Sequence, residues 1–153
     1  MTYGGTALKE GNYVITVKGM QNYCDGITES VDVEMMAECD FFCEDGKYFA
    51  DYDETEATGM EGTKTTLEMC DEYVSLTREG RIETTLLFIK GRQTTSYYET
   101  PYGTIAMGIS TDSIETSLDD SGGRVSVTYG ISLNNVFTGT NTFEINIRKI
   151  SGR

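Results

Sequence analysis

Histidine is absent from this sequence, and the absence removes more classes of function than any residue that is present. Without an imidazole the chain cannot build a Ser-His-Asp or Cys-His nucleophile, a histidine metal ligand or a histidine general base. An enzyme made from this chain would have to use carboxylates, lysine, tyrosine or a thiolate. We therefore expect a protein that is not an enzyme.

Positive charge is also scarce, since 12 Lys and Arg stand against 25 Asp and Glu, which gives a formal net charge of -13. Binding to nucleic acid or to an anionic membrane would bring like charges together. No apolar run approaches the roughly 20 residues of a membrane-spanning helix. The first residues lack the basic, apolar and small-residue order of a secretory signal. We expect a soluble cytoplasmic protein with no nucleic-acid or membrane partner.

Cysteine is sparse and has no pairing motif. The four cysteines, Cys24, Cys39, Cys43 and Cys70, include no CxxC pair. On one extended strand, Cys39 and Cys43 would lie roughly 13 Å apart, which is too far for a disulfide. We expect reduced thiols, with a structural metal as the alternative, and no cofactor.

What the sequence does contain is a repeated alternation of apolar and polar residues, bounded by Gly, Asp and Asn. This period of two is typical of strands with one buried face. Short gaps force antiparallel neighbours, and such a meander removes its exposed edges by closing on itself. The prediction is an all-β, closed antiparallel up-and-down β-barrel of eight to ten or more strands, as a single domain over residues 1–153 with a loose segment at 1–11. The predicted strands are 12–19, 28–43, 47–54, 63–70, 73–78, 82–90, 93–100, 104–110, 114–119, 124–133 and 137–149.

A turn at residues 45–46 determines which side chains of its hairpin face inward. Asp-Gly suits a two-residue hairpin turn, and this register pairs Cys43 with Tyr48. The alternation of faces along a strand then places Tyr52 and Glu54 inside the barrel.

A second two-residue turn is predicted at residues 71–72. It aligns the apolar positions of the two flanking strands and pairs Thr65 with Arg78. Both side chains are therefore expected on the inward face, so the sequence predicts a charged arginine inside the barrel.

The single proline of the chain begins the segment "PYG" at residues 101–103. This segment suits a type I turn followed by a left-handed glycine, which makes a three-residue loop. That register pairs Tyr97 with Met107 and Glu99 with Ile105. Tyr97, Glu99 and Met107 are accordingly expected to face inward.

The connections divide between the two ends of the predicted barrel, because every second connection of a meander emerges at the same end. Turns at Asp45, Asp71, Gly91 and Asn134 are expected at one end. Longer, Gly-rich connections at 20–27, 55–62, 79–81, 101–103 and 119–123 are expected at the other end, as an open mouth. If 104–119 is one bent strand, the connection at 119–123 changes ends.

Four motifs together resemble a known family. The segments "GTKTTLEM", "VSLTREG", "YYETPYGTIAMGI" and "FEINIRK", in this order between Tyr13 and Lys149, are similar to the YwiB-like proteins, small bacterial proteins of unassigned function. The resemblance implies a closed antiparallel barrel of the calycin (lipocalin-like) type in a cytoplasmic bacterial protein. It implies no substrate and no catalytic residues.

Three functions remain open. The first is a binding module for a small, partly apolar or amphipathic ligand in the barrel interior, for which calycin-type barrels are an analogy only. The second is a protein-interaction module with a filled barrel, and the third is a hydrolase that uses Glu54 and Glu99. The structural alternative is that Arg78 only forms an ion pair with one of these glutamates. The candidate ligand-binding residues are Tyr52, Glu54, Thr65, Arg78, Tyr97, Glu99 and Met107.

Overall fold

A computed structural model of the protein describes residues 13–19, 34–54, 62–80 and 83–150, apart from the side chains of 98–100 and 138. All regular elements in these ranges are strands, and this part of the chain has no helix long and apolar enough to cross a bilayer. The predicted loose segment at 1–11 lies outside the described residues. The strands are β1 (Tyr13–Lys18), β2 (Glu34–Glu44), β3 (Lys47–Asp53), β4 (Thr63–Met69), β5 (Tyr73–Gly80), β6 (Thr84–Ile89), β7 (Gln93–Thr100), β8 (Gly103–Asp119), β9 (Gly122–Leu133) and β10 (Val136–Lys149).

The ten strands form one antiparallel sheet in the order β6-β5-β4-β3-β2-β1-β10-β9-β8-β7. Strand β1 pairs along its whole length with both β2 and β10. The first and last strands are therefore adjacent inside the sheet, as in an up-and-down barrel. This arrangement confirms the predicted all-β antiparallel barrel, which is nearly closed.

The incomplete part of the closure lies between β6 and β7. Thr94 Oγ1 donates to the carbonyl of Leu87, and Ser96 Oγ donates to the carbonyl of Thr85, each over 2.5 Å. Among the described residues, no backbone ladder joins these two strands. Side-chain hydroxyls on alternate residues of β7 thus bond the carbonyls of β6 in place of main-chain donors.

The barrel interior holds an aromatic cluster of Phe88, Tyr129 and Phe143. Each of these side chains is at most 2% exposed, and the ring centroids lie 5.0 to 5.8 Å apart in edge-to-face arrangements. Such pairs stabilise a core beyond the burial of their area. Further buried apolar side chains from all strands except β7 pack in the same core, among them Ile15, Met35, Leu67, Met69, Leu76, Met107, Ile109, Val127 and Ile145.

The two predicted Asp-containing hairpins are confirmed. Asp45 and Gly46 both have positive φ, 55° and 79°, as a type I′ turn requires, and Cys43 pairs with Tyr48. The hairpin between β4 and β5 brings Thr65 opposite Arg78, the pair expected from the sequence.

The hairpin between β7 and β8 corrects the predicted register. Pro101 and Tyr102 alone form the turn, so Gly103 is already a strand residue opposite Thr100. Every pair on β7 is therefore shifted by one residue, which moves side chains to the opposite face of the sheet. Tyr97 pairs with Ala106, not Met107, and is 69% exposed, so its predicted inward position is wrong.

Strand β8 runs unbroken from Gly103 to Asp119, with one irregularity between Thr111 and Ser113. The connection at 119–123 therefore changes ends, as the single-strand alternative requires. The Asn134 turn also changes ends, because it follows one strand later, so its predicted place beside Asp45 is wrong. Asn134 instead bonds Ala106, donating from its backbone N over 2.8 Å and accepting through Oδ1 over 3.0 Å.

We call the barrel end that carries the connections after Gly19, Glu54 and Gly80 the long-loop end. Gly80 itself has φ of +122°, and a Cβ there would lie 2.6 Å from the carbonyl oxygen of Gly62. A glycine is needed because any larger residue would separate β4 from β5. This close approach lies two residues beyond Arg78, so it helps to fix the position of that side chain.

Candidate functional site

Four buried polar residues meet inside the long-loop end of the barrel: Tyr52, Glu54, Thr65 and Arg78. We call them the polar cluster. Each is at most 6% exposed. Charged residues are rarely buried to this extent unless they are paired, so the cluster is the unusual part of this otherwise apolar interior.

The polar cluster follows from strand pairing. Tyr52 on β3 pairs with Thr65 on β4, which pairs with Arg78 on β5, which pairs with Thr84 on β6. Residues in one row across neighbouring strands share a face of the sheet. Glu54 follows β3 and remains attached to β4 through its backbone N, which donates to the carbonyl of Thr63 over 2.9 Å.

Glu54 is the centre of the interactions within the polar cluster. Its Oε2 accepts a hydrogen bond from Thr65 Oγ1 and lies 3.8 Å from Nε of Arg78. The side chains of Arg78 and Glu54 are 5% and 1% exposed, respectively. The pair is thus buried and formally neutral, which is the condition under which charges are tolerated in an interior.

Tyr52 shows how strongly this environment disfavours a further negative charge. Burial raises the pKa of its phenol well above the ordinary value, and the charge of Glu54 raises the pKa further. Arg78 and a hydrogen bond from Thr65 act in the opposite direction but do not cancel these effects. Tyr52 is therefore a neutral hydroxyl that can take part in hydrogen bonds but does not supply a phenolate.

Arg78 has an unused hydrogen-bonding group. Its Nε is buried, and it has no hydrogen-bond partner among the described residues. The same residue is among those that line a depression of about 350 Å³, which we call the Arg78 depression. An arginine donates up to five hydrogen bonds, and a buried donor without an acceptor is costly. The depression therefore lies beside a buried cation that has an unpartnered donor among the described residues. Its described lining residues are Thr77, Arg78, Glu79, Glu83, Thr84 and Thr85.

Two carboxylates are among the described lining residues of the Arg78 depression. Glu79 and Glu83 are both exposed. Neither forms an ion pair within the described part of the chain. The described lining of the depression thus includes one buried arginine and two exposed glutamates.

The structure brings together four of the seven predicted site residues, namely the polar cluster. Met107 is buried, 1% exposed, as a member of the apolar core on β8. Tyr97 is on the outside of the barrel. Glu99 pairs with Thr104 and not with the predicted Ile105, and its side chain lies outside the described residues.

Sequence reasoning missed Thr63 and Thr84. Thr63 is 2% exposed, and its buried Oγ1 has no hydrogen-bond partner among the described residues. Thr84 lines the Arg78 depression and pairs with Arg78. The alternation of faces along β6 could have predicted the inward position of Thr84, because Thr84 lies two and four residues before the inward Leu86 and Phe88.

A larger depression of about 450 Å³ lies at the opposite end of the barrel, between the turns that contain Gly46, Asp71 and Asp119. Asp119 accepts hydrogen bonds from Ser121 N over 2.9 Å and Ser121 Oγ over 2.7 Å. These bonds hold the pKa of Asp119 below its ordinary value. Asp119 therefore has a structural role in its own turn, and the described lining residues of this depression include no Lys or Arg.

Metal-ligating side chains do not gather anywhere in the described ranges: no three of Cys, Asp and Glu are placed to hold one ion. Cys39, Cys43 and Cys70 are free thiols, and Cys24 lies outside the described residues. The structural-metal alternative therefore has no support from the described cysteines.

Four exposed apolar or aromatic side chains lie near the long-loop end of the barrel. Tyr97, Tyr102, Val136 and Phe137 are 65 to 94% exposed. Tyr102 belongs to the turn after β7, and Val136 and Phe137 are the first two residues of β10. Large exposed apolar groups of this kind are common where proteins bind partners.

Comparison with known proteins agrees with this architecture. In structure, the protein is similar to the "Crystal structure of ywiB protein from Bacillus subtilis", with a TM-score of 0.67 over 97% of this chain and 99% of that chain, at 14% identity. At that identity the likeness establishes the fold alone.

The sequence comparisons extend the likeness beyond the fold. A curated relative, "Uncharacterized beta-barrel protein YwiB" of Bacillus subtilis (strain 168), is 27% identical over 89 residues, which are 58% of this chain. The matched region spans 61% of that relative's length. The family model of the domain of unknown function DUF1934 matches residues 15–145. The resemblance predicted from the four sequence motifs is confirmed, and the chain belongs to the DUF1934 family of YwiB-like β-barrel proteins.

Proposed function

We propose that this protein is a non-catalytic binding module that holds a small, partly apolar ligand in the Arg78 depression at the long-loop end of the barrel. One observation carries the proposal: Arg78, a buried charged residue whose Nε has no hydrogen-bond partner among the described residues, is one of the residues that line a depression. A ligand acceptor placed there would form a charge-assisted hydrogen bond, which is stronger than a neutral one.

The position of the ligand differs from the barrel interior that the sequence analysis favoured. The aromatic cluster of Phe88, Tyr129 and Phe143 occupies the interior. The Arg78 depression, at about 350 Å³, is near the lower limit of typical ligand sites, which is about 300 Å³. Its size favours a small molecule.

The non-catalytic part of the proposal is supported by the chemistry of the residues. The chain has no histidine. Glu54, the carboxylate inside the site, is engaged by Thr65 and Arg78. A glycosidase-type mechanism needs two carboxylates that flank the substrate, whereas Glu54 is engaged in an ion pair with Arg78.

Native mass spectrometry of freshly purified protein tests the proposal. We expect a population with the mass of one small molecule added, and we expect mild denaturation to release that molecule. The Arg78→Lys variant should retain the fold but lose most of the adduct, because lysine keeps the charge and lacks the planar, multi-donor geometry of arginine. The matched control is Arg124→Lys, since Arg124 is an exposed arginine on β9. Equal adduct in all three proteins, or none in any, would reject the Arg78 depression as a ligand site.

A protein-interaction module is the second candidate, and the exposed apolar residues favour it. Tyr97 and Phe137 are 69% and 67% exposed on the outer face. Polar replacement of both, Tyr97→Ser with Phe137→Ser, should leave the fold intact because neither is in the core. If this candidate is right, a partner captured by the native protein is lost by the double variant and kept by Arg78→Lys.

A further inference from the structure

The boundary between β6 and β7, which we call the seam, is the place where neighbouring strands of the barrel lack a main-chain ladder among the described residues. We infer that the barrel opens reversibly along the seam, starting at the long-loop end, and that this opening admits a ligand to the polar cluster. The role in ligand entry rests on the proposed function, whereas the opening itself does not. The two ends of the seam are held together very unequally, and this difference determines where the barrel opens.

The turn end of the seam is held by main-chain hydrogen bonds. Arg92 N donates to the carbonyl of Ile89 over 2.9 Å. Gly91 N donates to the carbonyl of Thr111 over 2.9 Å, and Thr111 N donates to the carbonyl of Arg92 over 3.1 Å. Phe88, next to Ile89 on β6, contacts aromatic rings of β9 and β10 in the core. This end is therefore fixed both by the main chain and by the aromatic cluster.

Beyond the turn, the hydrogen bonds that cross the seam in the described part of the chain come from side-chain hydroxyls. Ser96 bonds the carbonyl of Thr85 at an exposed position, and Thr94 bonds the carbonyl of Leu87 at a partly buried one. Because the N–H and C=O of a strand residue point to the same side, Thr85 and Leu87 direct both groups towards β7. No described strand pairs with them there. Water competes for an exposed hydrogen bond, so the long-loop end of the seam is weakly held.

Strand β7 is not anchored in the core. None of its described side chains, from Gln93 to Tyr97, is buried, whereas each of the other nine strands contributes buried apolar side chains. The strand is instead paired with β8 along its length. A segment with few buried contacts opens at a lower free-energy cost than the whole fold. We therefore expect β7 to separate from β6 while it remains paired with β8.

The weakly held end of the seam borders the candidate site. The row of paired residues that contains Arg78 ends at Thr84 on β6, and the seam lies immediately beyond it. Thr84 and Thr85 both line the Arg78 depression, and the carbonyl of Thr85 accepts the exposed bond from Ser96. Opening of the seam beside Thr85 would connect the depression with the inner face of the barrel, where the polar cluster lies.

The test is thiol modification of the folded full chain. Cys24→Ser, Cys43→Ser and Cys70→Ser leave Cys39 as the natural thiol, and Leu86→Cys adds a second thiol beside the seam. Leu86 and Cys39 are 5% and 2% exposed, so both positions are enclosed in the closed barrel. Global unfolding exposes both together, whereas opening of the seam exposes position 86 alone. We expect a thiol reagent to modify position 86 about tenfold faster than Cys39, because local opening costs less free energy than unfolding.

Removal of one seam hydroxyl gives a second readout. Ser96→Ala should speed modification at position 86 by about two- to fivefold and leave Cys39 unchanged, since one exposed hydrogen bond is lost. Thr128→Val is the matched control, because Thr128 also forms an exposed hydroxyl bond, but between β9 and β10, which a main-chain ladder joins. The control should change neither rate. If Leu86→Cys does not fold, Met107→Cys is the reporter, since Met107 is 1% exposed and pairs with Ser96.

The failures of the two proposals can be distinguished. Equal rates at position 86 and at Cys39, or no effect of Ser96→Ala, would overturn the opening. Fast modification at position 86 in a protein that carries no small molecule would reject the proposed ligand and keep the opening. Where a molecule co-purifies, Ser96→Ala should speed its release in native mass spectrometry by about two- to fivefold, and Thr128→Val should not. Unchanged release in Ser96→Ala would show that the ligand does not pass through the seam.

Discussion

The aromatic cluster and the polar cluster occupy the same barrel but are built on opposite principles. Phe88, Tyr129 and Phe143 are buried apolar or aromatic side chains that contact one another edge to face. Glu54 and Arg78 are also buried, yet each is tolerated only because the other is present. The aromatic cluster therefore contributes mainly to stability, whereas the polar cluster contains the charged and hydrogen-bonding groups that a ligand would need.

The largest effect is expected in the aromatic cluster. Phe88→Ala removes a ring that is 1% exposed and contacts two other rings, so the free energy of unfolding should fall by about 3–5 kcal/mol. The measurement is urea unfolding followed by fluorescence or circular dichroism. The control is Phe137→Ala, because Phe137 is 67% exposed; its cost should stay within about 0.5 kcal/mol. Similar costs for both would mean that the aromatic cluster does not dominate the stability of the core.

The next effect concerns the buried ion pair. Arg78→Met leaves Glu54 buried without its cation, which should lower the free energy of unfolding by about 3 kcal/mol. The double variant Glu54→Gln with Arg78→Met removes both charges and should recover a large part of that loss, since apolar or neutral replacements of both partners are often tolerated. Additive losses in this double-mutant cycle would show that the two residues are not coupled. The buried charge of Glu54 would then not depend on the presence of Arg78.

A smaller effect is expected from the hydroxyl that supports the pair. Thr65→Val removes the hydrogen bond to Glu54 while keeping the shape of the side chain, so the cost should be about 1–2 kcal/mol, because a buried carboxylate loses a donor. Thr128→Val is the matched control: Thr128 bonds Thr142 over 3.0 Å at an exposed position, where water can replace the lost group. Equal costs at the two threonines would show that burial of the polar cluster adds nothing to the value of its hydrogen bonds.

The sequence predicts the polar cluster well because two Asp-containing turns set the register of β2 to β5. Asp45 and Gly46 adopt the positive φ that their residue types favour, and once the register is set, parity alone turns Thr65 and Arg78 inward. In this half of the barrel, local turn chemistry was sufficient to place the candidate site.

In the other half of the barrel the predicted register of β7 was wrong, and the physical reason lies in a single residue. Gly103 could either close a three-residue loop or begin a strand, and both choices suit a Pro-Tyr-Gly segment. The structure uses the second choice, so Tyr97 is on the outside. The sequence could not predict either that β8 continues through the irregularity at Thr111 and Ser113. Polar residues there interrupt the alternation of apolar and polar side chains, and a turn gives the same pattern. Cavities such as the Arg78 depression depend on side-chain packing, which strand parity does not specify.

The reactivity of two cysteine thiols tests whether the apolar interior disfavours a negative charge, without changing any residue of the core. Cys39 belongs to the apolar core, and Cys43 is exposed on the same strand. Burial raises the pKa of the Cys39 thiol to about 12, with further contributions from Asp40 and Asp51. In a variant with Cys24→Ser and Cys70→Ser, a thiol reagent at pH 8 should modify one thiol quickly, at Cys43, and the second only on unfolding. Rapid modification of both thiols would mean that Cys39 is not enclosed.

The same thiol should make stability depend on pH in a defined direction. The pKa of Cys39 in the folded protein, about 12, lies above the value of about 8.5 for a thiol in an unfolded chain. The folded state therefore holds the proton more tightly, and the contribution is complete below pH of about 8.5 and is lost as the pH rises towards 12. Cys39→Ala removes this dependence, so the difference in unfolding free energy between native protein and variant should shrink steadily between about pH 8.5 and 11. A difference that stays constant over this range would show that the apolar core does not disfavour the Cys39 thiolate. The core and the polar cluster would then not differ in how well they tolerate a charge.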